Sequence, residues 1–302
     1  MNPTTNQGSP KFNHTVVMSG VDYFDDSAPI NPLMTQSAPI DLREAATEHK
    51  HIGKALEAAG VKVHHIAPPS DSQDGVFTAN WALVRGDTAV MARLPNARKA
   101  EESYAANVLE SFGKKIVWLP DTIEKFSGQG DALPCGDYLF CGSGYRSDIE
   151  AQEFAASTLG YQRIQLRTKP WLDSTGKPVI NAYSGFPDSF YYDLDLAISI
   201  LKFPTNNEKG LIAWCPAAFT PESQELLRSF NEVDKIEVEE YEAVSALCCN
   251  LVSTGEIVIM NDNAPNFSAA IEAHGLHVVR LNNPQLAKGG GSMRCTTLSF
   301  NS

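Results

Sequence analysis

Three stretches of this chain carry one pattern: an Asn or Asp, a short apolar run, a Gly followed by an acidic residue, and a second apolar run. They are Asn80 to Val90 with the turn Gly86-Asp87, Asp131 to Phe140 with Gly136-Asp137, and Asn250 to Ile259 with Gly255-Glu256. A Gly-acid pair between β-rich runs predicts a hairpin, because Gly adopts the positive φ that tight turns demand. A fourth unit starts at Asp195 and passes through a longer connection, Pro204 to Lys209, into Leu211 to Cys215. A fifth ends at Cys295. The units recur about every 50 residues, roughly the length of a ββαβ element, and repeats on that scale imply a radial or linear array.

Helical patterns fill the gaps. Arg98 to Phe112 places Ala100, Tyr104, Ala105, Val108 and Leu109 at helical spacing. Ile149 to Leu159, Pro221 to Phe230 and Ala264 to Ala273 read the same way, and His277 to Leu281 as a strand. Thr220-Pro221-Glu222 is a helix start, with a capping hydroxyl, a Pro where no N–H is needed, and an acid in the first turn. No linker divides the chain. The expectation is an α/β fold of five ββαβ-type repeats forming a single domain over residues 15–302. Residues 1–14 are expected to be a disordered tail, since Met1 to Asn13 is polar and rich in Asn, Thr, Pro and Ser.

Charge and cysteines narrow the function. A net charge of -12 with no Lys/Arg cluster argues against nucleic acid or an anionic membrane as partner. No apolar stretch reaches the length of a membrane span, and the N-terminus lacks a signal-peptide pattern. The six cysteines show no CxxC spacing, so free thiols in a reducing cytoplasm are expected, with Cys215, Cys248 and Cys249 in the core. The sixth follows a glycine run, Lys288-Gly289-Gly290-Gly291-Ser292-Met293-Arg294-Cys295. Consecutive glycines let backbone approach a ligand closely, and a neighbouring arginine favours a thiolate. Two readings stand: a nucleophile presented on a tight backbone, or a flexible hinge before a buried structural cysteine at the last strand.

Five motifs in order carry a family resemblance. They are Val76-Phe77-Thr78-Ala79-Asn80-Trp81, Gly128-Gln129-Gly130-Asp131-Ala132-Leu133, Gly142-Ser143-Gly144-Tyr145-Arg146-Ser147-Asp148, Tyr192-Asp193-Leu194-Asp195, and the glycine run to Cys295. From about Val21 to Leu298 the chain resembles the guanidino-group-modifying enzymes, or penteins. These include arginine deiminases, dimethylarginine dimethylaminohydrolases, agmatine deiminases, amidinotransferases and arginine dihydrolases. Asp22-Tyr23-Phe24 and Ile30-Asn31-Pro32-Leu33-Met34 resemble the start of the arginine dihydrolase branch.

The resemblance implies a five-bladed α/β-propeller around a pseudo-five-fold axis, acting without metal or organic cofactor. It puts Cys295 at the position of a nucleophile that attacks the central guanidinium carbon. Asp193 falls where the family keeps a histidine acid-base, and none of the seven histidines lies in a family motif. Asp193 is either that base or a residue that caps or orients the strand. Family members clasp the guanidinium with carboxylates. Here Ser127 and Asn80 occupy two such positions, Asn80 as in the arginine dihydrolases, so two clasping carboxylates are expected to be missing. Asp131 keeps its place, with a role at least partly structural. Arg146 is either the anchor for a substrate carboxylate or a surface residue. Phe77 and Trp81 line the pocket or belong to the core, and Leu33 and Met34 are assigned to a lid. Arg294 adds positive potential or faces solvent, and Arg93 and Arg98 read as structural.

The expected function is cysteine-dependent hydrolysis of a C–N bond in a small guanidino or ureido compound, arginine or a derivative, by a monomer or homo-oligomer. Alternatives are hydrolysis of a neutral amide or amidine, amidino transfer, or ligand binding without catalysis.

Overall fold

Each Gly-acid pair named above does close a hairpin, with Gly86, Gly136 and Gly255 at φ of 56°, 65° and 89°. The architecture comes from a computed structural model that describes residues 12–34, 39–70 and 72–300. Its strands are β1 (Thr15–Ser19), β2 (Lys62–Ile66), β3 (Ala82–Arg85), β4 (Thr88–Met91), β5 (Lys115–Val117), β6 (Ala132–Cys135), β7 (Tyr138–Gly142) and β8 (Gln162–Leu166). They continue as β9 (Ile198–Lys202), β10 (Gly210–Trp214), β11 (Val233–Glu237), β12 (Val252–Ser253), β13 (Ile257–Asn261), β14 (His277–Leu281) and β15 (Leu298–Ser299). The described residues form five three-stranded sheets, ordered β15-β1-β2, β3-β4-β5, β6-β7-β8, β9-β10-β11 and β12-β13-β14.

Every sheet has the same plan. The first two strands pair antiparallel and the third pairs parallel with the second. A parallel partner cannot be reached by a tight turn, so a helix crosses over each time. These are α1 (Leu42–Ala58), α2 (Ala100–Ser111), α3 (Ile149–Leu159), α4 (Pro221–Ser229) and, past the short α5 (Glu240–Ala246), α6 (Pro265–Ala273); α7 (Pro284–Lys288) follows β14. The start signal at α4 works as read, the Thr220 side chain accepting from Ser223 N. Helix α1 is absent from the sequence expectation. It is capped by Asp41, and it buries Ala45, Glu48, His49, Ile52, Gly53 and Leu56, a face too poor in large apolar residues to stand out.

Two expectations are corrected. The fifth hairpin is not sequential: β15, near the C-terminus, pairs with β1, near the N-terminus, and Cys295 lies ahead of β15 rather than in a strand. Most of the expected tail, residues 1–11, lies outside the described residues, but Phe12 and Asn13 are packed. Phe12 stacks on Phe203 at 4.1 Å, and Asn13 donates to the Ser253 carbonyl at 2.9 Å.

The repeat also fixes where function can reside. Asn80, Asp131, Asp195, Asn250 and Cys295 each stand one to three residues before the first strand of their sheet. All five are buried. The leading residue of each unit therefore holds an equivalent place in its repeat, and three of them, Asp195, Asn250 and Cys295, touch in the tertiary structure.

Candidate active site

Cys295 is held by contacts from two other sheets. Asn250 Nδ2 donates to Sγ at 3.1 Å, and Asn250 Oδ1 accepts from the backbone N–H of Cys295 at 3.1 Å and of Ser292 at 2.9 Å. Sγ in turn lies 3.4 Å from Asp195 Oδ2, to which the thiol donates. The glycine run makes this approach possible. A Cβ on Gly291 would fall 2.6 Å from the Phe77 ring and 2.8 Å from the Cys295 Cβ, so no other residue fits there.

Cys295 opens onto a pocket of about 370 Å³, open solvent at its mouth included, which Asp74, Asn80, Ser127, Arg146 and Asp193 also line. Asp193 Oδ2 accepts from Asn80 Nδ2 at 2.8 Å, and the same Nδ2 reaches Ser127 Oγ at 2.9 Å. Asn80 Oδ1 accepts from Arg98 Nη1 at 2.8 Å. Asp193 Oδ1 has no partner in the protein although it is buried, a condition that costs free energy unless a ligand or water completes it. Arg146 lies over the Tyr192 ring at 5.0 Å and gives one Nη2 bond to the Ile30 carbonyl.

Phe77 joins the pocket wall, whereas Asp131 stands behind it, its Oδ1 accepting from Leu194 N at 2.9 Å and so setting the backbone between Asp193 and Asp195. Trp81 belongs to the core and donates to Glu101. Leu33 and Met34, assigned to a lid, do not line the pocket, whereas Ile30 and Asn31 of the same segment do. Arg98, read as structural with a lesser chance of substrate contact, lines it as well, with its charge committed to Glu101 at 2.7 Å. Arg294 does not face solvent: it is buried and donates to Gln129 and the Thr297 carbonyl.

Ser127 and Asn80 leave the two clasping positions without a carboxylate, but the pocket holds others. Asp74 and Asp193 both line the pocket, and Asp195 touches the sulfur. Sequence reasoning passed over Asp74, Asp195 and Asn250. The last two were legible as leading residues of their repeats, the place that Asn80 and Asp131 fill.

Burial governs the electrostatics. It pushes the Asp195 carboxyl up to about 8, with help from the Asp193 charge and against the pull of Arg294. Burial likewise raises Asp193, offset first by Arg146, and raises Asp74 to about 6, offset first by Arg98. The expected thiolate-favouring setting does not appear. Burial, then Asp195 and Asp193, hold the Cys295 thiol well above its ordinary range. A cation entering this pocket would oppose these shifts.

Known proteins resemble this chain along most of its length. The family profile described as N,N dimethylarginine dimethylhydrolase, eukaryotic, matches residues 25–180. The N(G),N(G)-dimethylarginine dimethylaminohydrolase of Mycobacterium tuberculosis is 32% identical over 279 residues, 92% of this chain and 83% of that protein. The bifunctional arginine dihydrolase/ornithine cyclodeaminase AgrE of Nostoc is 29% identical over 287 residues, 93% of this chain; the chain spans 37% of AgrE's length. The crystal structure of the N-terminal domain of the cyanobacterial arginine dihydrolase ArgZ, bound to substrate, superposes with a TM-score of 0.82 at 26% identity, covering 95% of this chain and 98% of that one. The same domain has also been seen covalently bound to a reaction intermediate, with a TM-score of 0.81 at 26% identity over 95% of this chain and 98% of that one. With more than half of its length matched by the profile and a 32% identical relative along 92% of it, the chain belongs to the N,N-dimethylarginine dimethylhydrolase family, hydrolases of carbon–nitrogen bonds in amidines.

Proposed function

We propose that this protein hydrolyses a C–N bond in the guanidino group of arginine or an N-methylated arginine, with Cys295 as nucleophile and Asp193 as the general acid-base. The observation that carries this reading is the common pocket of Cys295 and Asp193, with Asp193 Oδ1 unpaired and buried beside it. Arg146 binds the substrate carboxylate, Asn80 and Ser127 fix Asp193 and the guanidinium edge, and Phe77 packs on the substrate stem. Asp131 acts through the backbone it orients.

The steps follow from the charges. A guanidinium entering the pocket favours the thiolate of Cys295, while burial, which raises Asp193, lets that carboxyl enter the reaction as the protonated acid. Sγ adds to the central carbon, Asp193 protonates the departing nitrogen, and ammonia or an amine leaves. The Asp193 carboxylate then removes a proton from water, the hydroxide adds to the same carbon, and the C–S bond breaks to restore the thiol. An imidazole would do both transfers at neutral pH by its intrinsic pKa. A carboxyl can do them only because burial raises it.

We also propose that the five sheets close into a five-bladed propeller around a pseudo-five-fold axis, as one domain over residues 15–302. Support comes from the mutual contacts of leading residues from different sheets, such as Asn250 and Asp195 on Cys295. A cytoplasmic enzyme acting on a small molecule is in keeping with six cysteines that are all free.

Ammonia release from arginine, methylated arginines, agmatine, citrulline and small amides, with products identified by mass, tests the reading. Cys295-dependent ammonia or methylamine release, with citrulline or ornithine as product, is expected. Full turnover by Cys295→Ser, or activity confined to neutral amides, would overturn it.

A further inference from the structure

Asp195 touches the sulfur but does not line the substrate pocket. It lines a second cavity, also about 370 Å³, that shares no lining residue with the first. The wall of this cavity is mostly apolar, including Phe12, Leu133 and Leu251, with Asn13, Asp195, Ser199 and Arg294 as polar groups. Phe12, stacked on Phe203, forms part of its boundary. Asp195 is only 1% exposed, and while its Oδ2 accepts from the Cys295 thiol, its Oδ1 has no partner in the protein. One carboxyl group thus stands between the nucleophile and a separate cavity that has room for water and a few polar side chains in its wall.

We propose that Asp195 is the proton outlet of Cys295, passing the thiol proton through its carboxyl group to water in the second cavity rather than into the substrate pocket. This inference rests on Cys295 being the nucleophile. The S–H bond breaks, and its electron pair stays on sulfur to form the C–S bond. An O–H bond forms at Oδ2 as the O–H bond at Oδ1 breaks, so Asp195 keeps its charge and water carries the proton away. The groups whose charges bear on this carboxyl are Asp131, Tyr192, Asp193, Cys249, Arg294 and Cys295. Arg294 is the cation among them, and it opposes a lasting positive charge in the cavity, which favours onward release. Separate routes have a physical use: the substrate pocket must hold a cation and exclude bulk water, whereas a proton outlet needs water.

Two substitutions outside the reacting groups test it. Leu251→Phe fills the cavity, and Phe12→Ala opens its boundary. The readouts are the pH midpoint of Cys295 alkylation by iodoacetamide, followed by intact mass without substrate, and kcat against KM on the substrate found. Leu251→Phe is expected to raise the midpoint by about one unit and lower kcat about tenfold, with KM within about twofold. Phe12→Ala is expected to lower the midpoint by about half a unit. Wild-type midpoints in both folded variants would overturn the outlet. Should Leu251→Phe fail to fold, Phe12→Ala decides alone. Loss of turnover in Cys295→Ser with unchanged midpoints removes only the outlet, whereas turnover by Cys295→Ser removes the nucleophile itself.

Discussion

Asn250 grips Cys295 at both ends, its Nδ2 on the sulfur and its Oδ1 on the backbone N–H, each at 3.1 Å. The two residues lie 45 positions apart in the chain and at equivalent places in neighbouring repeats. The grip fixes the χ1 direction of the sulfur and supplies a donor to whatever negative charge develops on it.

Asn250→Ala removes that donor and leaves two backbone N–H groups without their acceptor. A buried donor or acceptor left unpaired costs about 1–3 kcal/mol. We therefore expect kcat to fall roughly ten- to hundredfold, each tenfold being about 1.4 kcal/mol. Asn250→Asp would place a third carboxylate near the sulfur and raise the midpoint of Cys295 alkylation. Steady-state kinetics with alkylation at several pH values checks both; an unchanged kcat in a folded Asn250→Ala would show the grip to be idle.

Arg146 has donors to spare, while Arg98 spends its own on Glu101, Asn80 and two carbonyls. Arg146→Ala is expected to raise KM for arginine by about ten- to a hundredfold with kcat much less affected, the range of one lost charge-assisted contact. Agmatine, which lacks the carboxylate, should be turned over equally by both proteins. Equal losses on arginine and agmatine would refute the anchor.

The Asp195 carboxyl, raised to about 8, holds a proton that a bound cation would displace. Burial keeps Asp195 raised, and a bound cation lowers it. Titrating arginine into Cys295→Ser near pH 7 should therefore release on the order of one proton. Calorimetry in two buffers of different ionisation enthalpy measures it. Citrulline, which is neutral, should release none, and identical heats in both buffers for arginine would sink the idea.

The same groups tie stability to pH. For Asp195 the folded carboxyl is raised from 3.8 to about 8. The native state binds the proton more tightly than the unfolded chain. Its contribution is therefore fully present below about pH 4 and is lost as pH rises towards 8. Buried His49, lowered to about 4, acts on the other side, since protonation of the unfolded chain costs stability as pH falls from 6.5 to 4. We expect Tm to decline by several degrees between pH 6.5 and 8, and Asp195→Asn to flatten that decline. Asp74, raised to about 6, leaves a residual slope below pH 7. A slope in Asp195→Asn equal to that of the wild type would contradict this account.

Particular residues show how much of this was legible beforehand. The hairpins were readable because a Gly-acid turn and two flanking apolar runs are local facts. Helices α3 and α4 were readable because period and start signals are local too. Cys295, Asn80, Ser127, Arg146 and Asp193 were found through motif order, and all line one pocket. Asp74 was missed because it lies in a polar loop with no periodicity, and Arg98 because a charged side chain beside a helix start usually faces water. The trail to Asp195 and Asn250 was present in the leading polar residue of each repeat, but a repeat alone does not reveal that its leading residues touch.

The sequence by itself determined the ββαβ unit, its number and the types of side chain it places before each first strand, since turns, strands and helices follow from neighbours in the chain. Only the tertiary structure decided which of those side chains meet, which carboxyl oxygens lack partners and how far burial raises their proton affinity. Those properties depend on distances between residues 45 to 113 positions apart and on the exclusion of water around them. No local pattern encodes either.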